Sequence, residues 1–233
     1  MRLLILGLPR SGTTFAYKVA CDLLDRHIYI MEPFNREVVE WSLGSGVVHD
    51  TEGPIPSQYS RLHRTVQELI LKNSRWIDDW INNDKPTLPF LGGFWMNVLK
   101  ALFSQPDIVV KDVYLWVRLR AAMSLLNNVK VLLIKRSLDT WLREIRAYYD
   151  KRRDAFENPR FKGFVSLFYR YYHGDYVKRT DVEAALAEAT DVYQHYVELI
   201  DLAWNYPNVE VVEGDGRLSE EAVKQAINKL MAR

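Results

Sequence analysis

Residues Gly7-Leu8-Pro9-Arg10-Ser11-Gly12-Thr13-Thr14 follow the apolar run Leu3-Leu4-Ile5-Leu6 and open into Phe15-Ala16-Tyr17-Lys18-Val19-Ala20. That order predicts a strand, a glycine-bounded loop and a helix. Glycines at both ends allow close approaches and unusual backbone angles, so successive N–H groups and the helix N-terminus can converge on one anion. The spacing is that of a P-loop, G-x-x-x-x-G, with one change. The position that holds lysine in a Walker A loop is Thr13, and the nearby cation, Arg10, sits earlier, inside the loop. The change argues against ordinary ATP chemistry. The plain alternative is a strand-to-helix turn that binds nothing.

Working outward, five short Val/Ile/Leu-rich segments are expected as strands: Arg2 to Leu6, His27 to Met31, Asp107 to Lys111, Lys130 to Lys135 and Val209 to Val212. Their apolar runs, separated by helical stretches, fit parallel strands covered on both faces. The expected fold class is therefore α/β: a three-layer sandwich like that of P-loop nucleotidases, with a central, mainly parallel five-stranded sheet. Ligands of such sheets sit at the carboxyl ends of the strands, where Gly7, Glu32, Lys111 and Arg136 all fall.

The 233 residues, 48% hydrophobic and 26% charged, suit one sizeable core, and a single domain over 1–233 is expected. Thirty-one basic residues against thirty acidic ones leave a net charge of +1, which gives no support to a nucleic-acid partner. The single cysteine, Cys21, lies within the apolar spacing of the first helix and reads as a small buried hydrophobe. No apolar run reaches membrane-spanning length, and the opening strand is too short for a signal peptide. A soluble, cytoplasmic protein is expected, with no membrane partner.

Two insertions, at about 43–104 and 148–180, are expected to form the wall of a pocket at the site and a lid. In the first, Gly44, Gly46, Gly53, Pro54 and Pro56 mark loop, followed by helical stretches from about Ser57 to Ile81 and Leu91 to Phe103. The second interleaves aromatics with bases, a composition that admits an RNA-binding or partner-binding reading, but the neutral net charge and the tendency of aromatic stripes to pack into cores favour a lid packed over the site. Thr180-Asp181-Val182-Glu183 has capping-box spacing and opens a helix to about Trp204, and Ser219 to Met231 reads as a closing amphipathic helix.

The run Pro9-Arg10-Ser11-Gly12-Thr13-Thr14 directly after a first strand closely resembles the 5′-phosphosulfate loop of sulfotransferases, in particular the Gly-x-Pro-Arg-Ser-Gly-Thr-Thr form of tyrosylprotein sulfotransferases and their bacterial relatives. The resemblance covers the core strands and their loops, and leaves out the two insertions. It implies 3′-phosphoadenosine 5′-phosphosulfate as sulfuryl donor, adenosine 3′,5′-bisphosphate as product and a small-molecule or peptide hydroxyl as acceptor. The backbone of Ser11 to Thr14, with the Thr13 and Thr14 hydroxyls, would hold the 5′-phosphate. Arg10 would meet charge developing in the transition state, a contribution of roughly 3–4 kcal/mol for such a donor.

Glu32, in Ile30-Met31-Glu32-Pro33-Phe34, ends the second strand before a proline that turns the chain from the sheet, so its carboxylate is expected to face the cradle. The resemblance implies that it is the catalytic base; an exposed turn carboxylate is the alternative, and His49 is a second candidate base. Val109-Val110-Lys111-Asp112 resembles the family's Lys-Asp-Pro step, with Val113 in the proline's place. Lys111 would then stabilise the transferring group, while Asp112 is preferred as a cap of the following helix.

A family 3′-phosphate site takes an arginine at a strand end and a serine eight residues on. Arg136 matches the arginine, but Glu144 stands in the serine's place, where its charge would repel a phosphate. A shifted register uses Lys135 and Arg143 instead, and Arg136, Arg143 and Arg146 all lie along one helix entrance. None of His27, His49, His63, His173 and His195 has metal-ligand spacing with a neighbour, so no metal is expected. The readings in competition are a sulfotransferase, a P-loop kinase or nucleotide-binding protein using ATP and magnesium, and a binding module that has lost catalysis.

Overall fold

A computed structural model describes residues 1–50, 53–76, 94–125, 127–151, 168–169, 172–173 and 182–233. The chain begins with β1 (Arg2–Gly7), α1 (Thr13–Leu23), β2 (Ile28–Met31) and α2 (Arg36–Ser45). Two short strands, β3 (Val47–Asp50) and β4 (Gly53–Pro56), precede α3 (Arg64–Asn73), α4 (Trp95–Leu102) and β5 (Ile108–Asp112). The remainder is α5 (Leu119–Leu125), β6 (Lys130–Arg136), α6 (Leu138–Lys151), α7 (Val182–Ala203), β7 (Val209–Gly214) and α8 (Glu220–Ala232).

Five of the strands form one parallel sheet in the order β2-β5-β1-β6-β7. The fold is α/β, with helices on both faces, as in a P-loop-like three-layer sandwich. Side chains alternate strictly across the sheet. Leu4, Leu6, Val110 and Leu133 join one core cluster with Trp141, Trp116 and the inner faces of α4 and α7. Leu3, Ile5, Val109, Leu132 and Ile134 join the other, against Ala16 and Ala20 of α1 and Val223, Ile227 and Leu230 of α8. Each large aliphatic buried this way contributes about 1.5–3 kcal/mol relative to exposure. Cys21 is buried in this second cluster, and burial beside Asp22 pushes its thiol up to about 12.

The chain leaves β1 toward β2 on one side, whereas β6 is followed by β7 on the other, so the strand order reverses between β1 and β6. A crevice opens at the carboxyl ends of such a pair. Both the Gly7–Gly12 loop and Arg136 lie there.

Two stretches differ from expectation. The glycine- and proline-marked segment is a two-stranded antiparallel hairpin in which Val48 and Ile55 face each other, both buried. Pro54 and Pro56 are tolerated because this is an edge strand, and Tyr17 of α1 donates from its hydroxyl to Pro56 O at 2.9 Å. The predicted helix from Ser57 to Ile81 is shorter: a 3-10 turn at Tyr59–Arg61, then α3 alone, which ends at Asn73. Tertiary pairing ends it. Arg75 N donates to Phe34 O at 3.1 Å and Arg36 N to Arg75 O at 2.9 Å, drawing the chain beside the start of α2.

The helix over 182–203 and the closing helix match expectation, with Ser219 capping Ala222 N at 3.3 Å. Thr180 and Asp181 lie outside the described residues, as does most of 148–180. Phe168 and Tyr172 of that insertion pack on Trp116, with ring centroids 4.9 and 6.1 Å away. No described helix is long and apolar enough to cross a membrane.

Candidate functional site

The loop after β1 has little room for anything but glycine at its ends. A Cβ on Gly7 would stand 2.7 Å from both Ser11 Oγ and Thr13 Cγ2 and 3.0 Å from Ile134 O. Gly12 has φ 97°, in the left-handed region, and a Cβ there would meet Leu218 Cδ1 at 2.7 Å and Arg136 Nη2 at 3.6 Å. The Arg136 guanidinium therefore lies against the loop. Ser11 N donates to Leu8 O at 3.0 Å, closing the turn, and α1 begins at Thr13 with no side-chain cap and no acidic residue in its first turn.

Two buried polar atoms at this place have no hydrogen-bond partner, Ser11 Oγ and Arg136 Nε. Orphaned buried groups cost about 1–3 kcal/mol each and are rare without a reason. A hydroxyl and a guanidinium beside an uncapped helix N-terminus suit a phosphate. The donor set fits the phosphosulfate donor that the loop motif implies.

Surrounding residues lock this corner. Trp141 Nε1 donates to Pro9 O at 2.7 Å, tying α6 to the loop. Tyr193 and Tyr196 of α7 donate from their hydroxyls to Arg136 O and Ile134 O at 2.7 and 2.8 Å, securing the end of β6. Arg136 Nη1 lies 3.4 Å from Glu144 Oε1. The Glu144 carboxyl group therefore contacts the guanidinium that a phosphate would use.

Only two described non-glycine residues have positive φ, Arg10 at 66° and Glu32 at 47°. Such positions cost on the order of 1–3 kcal/mol and gather at functional sites. Glu32 is doubly strained, since Pro33 favours an extended residue before it. Its backbone is held by Glu32 N donating to Lys111 O at 2.7 Å and Asn35 N donating to Glu32 O at 3.0 Å. The Arg10 guanidinium stacks over the Tyr148 ring of α6, 4.6 Å from the centroid, which keeps its charge at the loop.

Glu32 and Lys111 form a buried pair. Lys111 Nζ donates to Glu32 Oε1 at 2.5 Å, and Asn35 Nδ2 donates to Glu32 Oε2 at 3.2 Å. Beside them Asp112 is fully buried. Its Oδ1 accepts from Tyr114 N and Leu115 N, both at 2.7 Å, which is the expected capping role, here for a 3-10 turn at Leu115–Arg118. Its Oδ2 has no partner. Burial, then the neighbouring Glu32 charge, pushes its carboxyl up to about 7. Burial also raises the Tyr59 and Tyr114 phenols, with Glu32 and Asp112 adding to the effect. Tyr59 from the first insertion closes over this turn by donating to Met31 O at 3.0 Å.

Of the expected residues, the structure gathers Pro9 to Thr14, Glu32, Lys111 and Arg136 along one edge of the sheet. In register, Leu6 faces Asp112, Gly7 faces Ile134 and Met31 faces Lys111. The shifted reading fails on one point: Lys135 pairs with Glu213 at 2.8 Å, on the opposite side of β6 from Arg136. Arg143 is exposed and donates to Thr140 Oγ1 at 3.1 Å, and Arg146 pairs with Glu183 of α7 at 2.7 Å, so neither converges on Gly12 as Arg136 does. The His49 side chain lies outside the described set. Sequence reasoning missed Trp141, Tyr148, Asn35 and Leu218. Trp141, Ile145 and Tyr148 share a helical face by spacing, but which loop that face meets is a tertiary matter. No protein-family model matches this chain, and no curated protein matches it either.

Proposed function

We propose that the chain is a sulfotransferase that moves a sulfuryl group in line from 3′-phosphoadenosine 5′-phosphosulfate to a hydroxyl, in the cytoplasm as the single buried cysteine suits. The observation that carries the reading is the cradle itself. An Arg-Ser-Gly-Thr-Thr loop without the Walker lysine meets the Arg136 guanidinium, with Ser11 Oγ and Arg136 Nε both buried and unpartnered.

Within this reading the loop N–H groups and Ser11 bind the 5′-phosphate, and Arg136 takes the 3′-phosphate by displacing Glu144. Glu32 accepts the acceptor's hydroxyl proton as the oxygen bonds to sulfur, and the bond from sulfur to the phosphate oxygen breaks. Arg10 meets the charge that returns to that oxygen. Lys111, only 2% exposed, acts through Glu32 as a positioning residue, a change from the direct contact expected from the family's step. Arg143, exposed at the head of α6, is a rim contact. A small-molecule or peptide hydroxyl is the acceptor class; no nucleic acid or membrane enters the reading.

A P-loop kinase using ATP and magnesium is the second reading, favoured by Glu144 on Arg136, which partly neutralises the phosphate site. Calorimetric titration with adenosine 3′,5′-bisphosphate beside AMP, ADP and ATP, with and without magnesium, separates them. Selective binding of the bisphosphate supports the sulfotransferase; preference for ATP with magnesium overturns it. A module that binds the bisphosphate without turnover on an acceptor panel is the degenerate case.

A further inference from the structure

Beside α7, His173 comes together with Asp191 and His195, two residues of that helix. His173 Nε2 lies 2.7 Å from Asp191 Oδ2, and His195 Nε2 lies 3.7 Å from the same oxygen. One potential ligand atom from each residue falls within 4.8 Å of the other two. With metal–ligand distances near 2.0–2.1 Å, tetrahedral geometry puts neighbouring ligand atoms about 3.3 Å apart. The two observed separations bracket that value. The side chains are 40%, 33% and 28% exposed in the order His173, Asp191, His195, so an ion has a path in.

The other ring nitrogen of His195, Nδ1, lies 3.6 Å from Glu198 Oε2, beyond hydrogen-bond distance, so the exposed Glu198 carboxylate adds only negative charge near the cluster. The rings are also held. Tyr172 stacks on His195 at 3.9 Å and 11°, and Tyr169 lies 4.4 Å from His173.

We propose that His173, Asp191 and His195 form a binding site for a zinc-type dication, with one coordination position left to water. Two imidazoles and one carboxylate select a borderline transition metal over magnesium or calcium, which take oxygen donors. The bound ion ties His173 to α7 and so holds the neighbouring Tyr172 against Trp116. Asp191 and His195 are i, i+4 on one helix, half of a ligand set legible by spacing; His173 meets them only in the fold. The assignment is independent of the sulfotransferase reading.

The test uses tag-free, chelator-treated full-length protein titrated with zinc sulfate by calorimetry and with cobalt(II) by visible absorption. One equivalent is expected, with a four-coordinate cobalt spectrum that zinc displaces and a rise in Tm on zinc addition. His173→Gln and His195→Gln should abolish both the spectrum and the Tm rise. His63→Gln, at the N-cap of α3, should change neither. Absence of saturable one-to-one binding, or binding unchanged in His173→Gln and His195→Gln, would overturn the proposal and leave an ordinary surface hydrogen bond.

Discussion

Glu32 and Lys111, 79 residues apart in the chain, are joined by a 2.5 Å contact between Oε1 and Nζ inside the protein, with side-chain exposures of 12% and 2%. A pair this buried is energetically lopsided: removing one partner strands the other's charge, at about 3–5 kcal/mol, whereas removing both is far milder. Glu32→Gln and Lys111→Met should each destabilise the fold by that order. The double variant should recover most of the loss yet stay at least about a hundredfold slower in turnover. Denaturant unfolding of the four proteins measures this; additive single effects would sink the coupling.

Arg10 tests whether strain at the loop serves function. Glycine at φ 66° relieves about 1–3 kcal/mol of strain, against about 0.5–1 kcal/mol lost with the Tyr148 stacking. Arg10→Gly should therefore fold with equal or slightly greater stability, while turnover falls about 10²–10³-fold. A thermal melt and a sulfuryl-transfer assay on the same preparation check both halves, and a marked drop in Tm would contradict the strain argument.

Two glycines should respond oppositely to alanine. Gly12→Ala meets both a left-handed φ and Leu218 Cδ1 at 2.7 Å, so binding of adenosine 3′,5′-bisphosphate should vanish and stability should fall. Gly44 lies inside α2 with no atom within 4 Å of an added Cβ. Gly44→Ala should stabilise by roughly 0.5–1 kcal/mol with unchanged binding. Equal effects at the two sites would refute the cradle geometry.

Asp112 should leave a signature in pH. Its carboxyl is raised from the usual 3.8 to about 7, so the native state binds the extra proton between those values. The associated stability is fully present below about pH 4 and is lost as pH rises to about 7, on the order of 4 kcal/mol in all. The unfolding free energy of the wild type minus that of Asp112→Asn should fall across this window. Parallel curves would show that Asp112 titrates normally.

Glu144, with its side chain 53% exposed, competes for Arg136 only weakly. Glu144→Gln should tighten bisphosphate binding by roughly two- to fivefold, the scale of an exposed ion pair. Weaker binding in that variant would mean that Glu144 helps to hold the ligand rather than competing with it for Arg136.

Much of this was legible in advance because it depends on local chemistry. The P-loop spacing, the five apolar strands and the closing amphipathic helix are short-range signals, and parallel strands covered on both faces must read as continuous apolar runs. Arg136 was legible as a strand-end arginine. Its superiority over Lys135 was not, since strand alternation sends the two side chains to opposite faces and only packing reveals which face meets Gly12. The early end of α3 was equally hidden: no breaker follows Asn73, and the helix stops because Arg75 finds backbone partners at Phe34 and Arg36.

By itself, then, the chain's order of residues determined the α/β class, the strand-loop-helix cradle and the kinds of side chain at the strand ends. Tertiary structure alone decided the pairings that turn those kinds into a site. Lys111 meets Glu32, Trp141 meets Pro9, Tyr148 meets Arg10 and His173 meets Asp191 and His195. The physical reason is reach. Backbone propensity and periodicity act over a few residues, whereas charge pairing, ring stacking and metal-type ligand sets need atoms within a few ångströms, which only the packed sheet and its helices bring together.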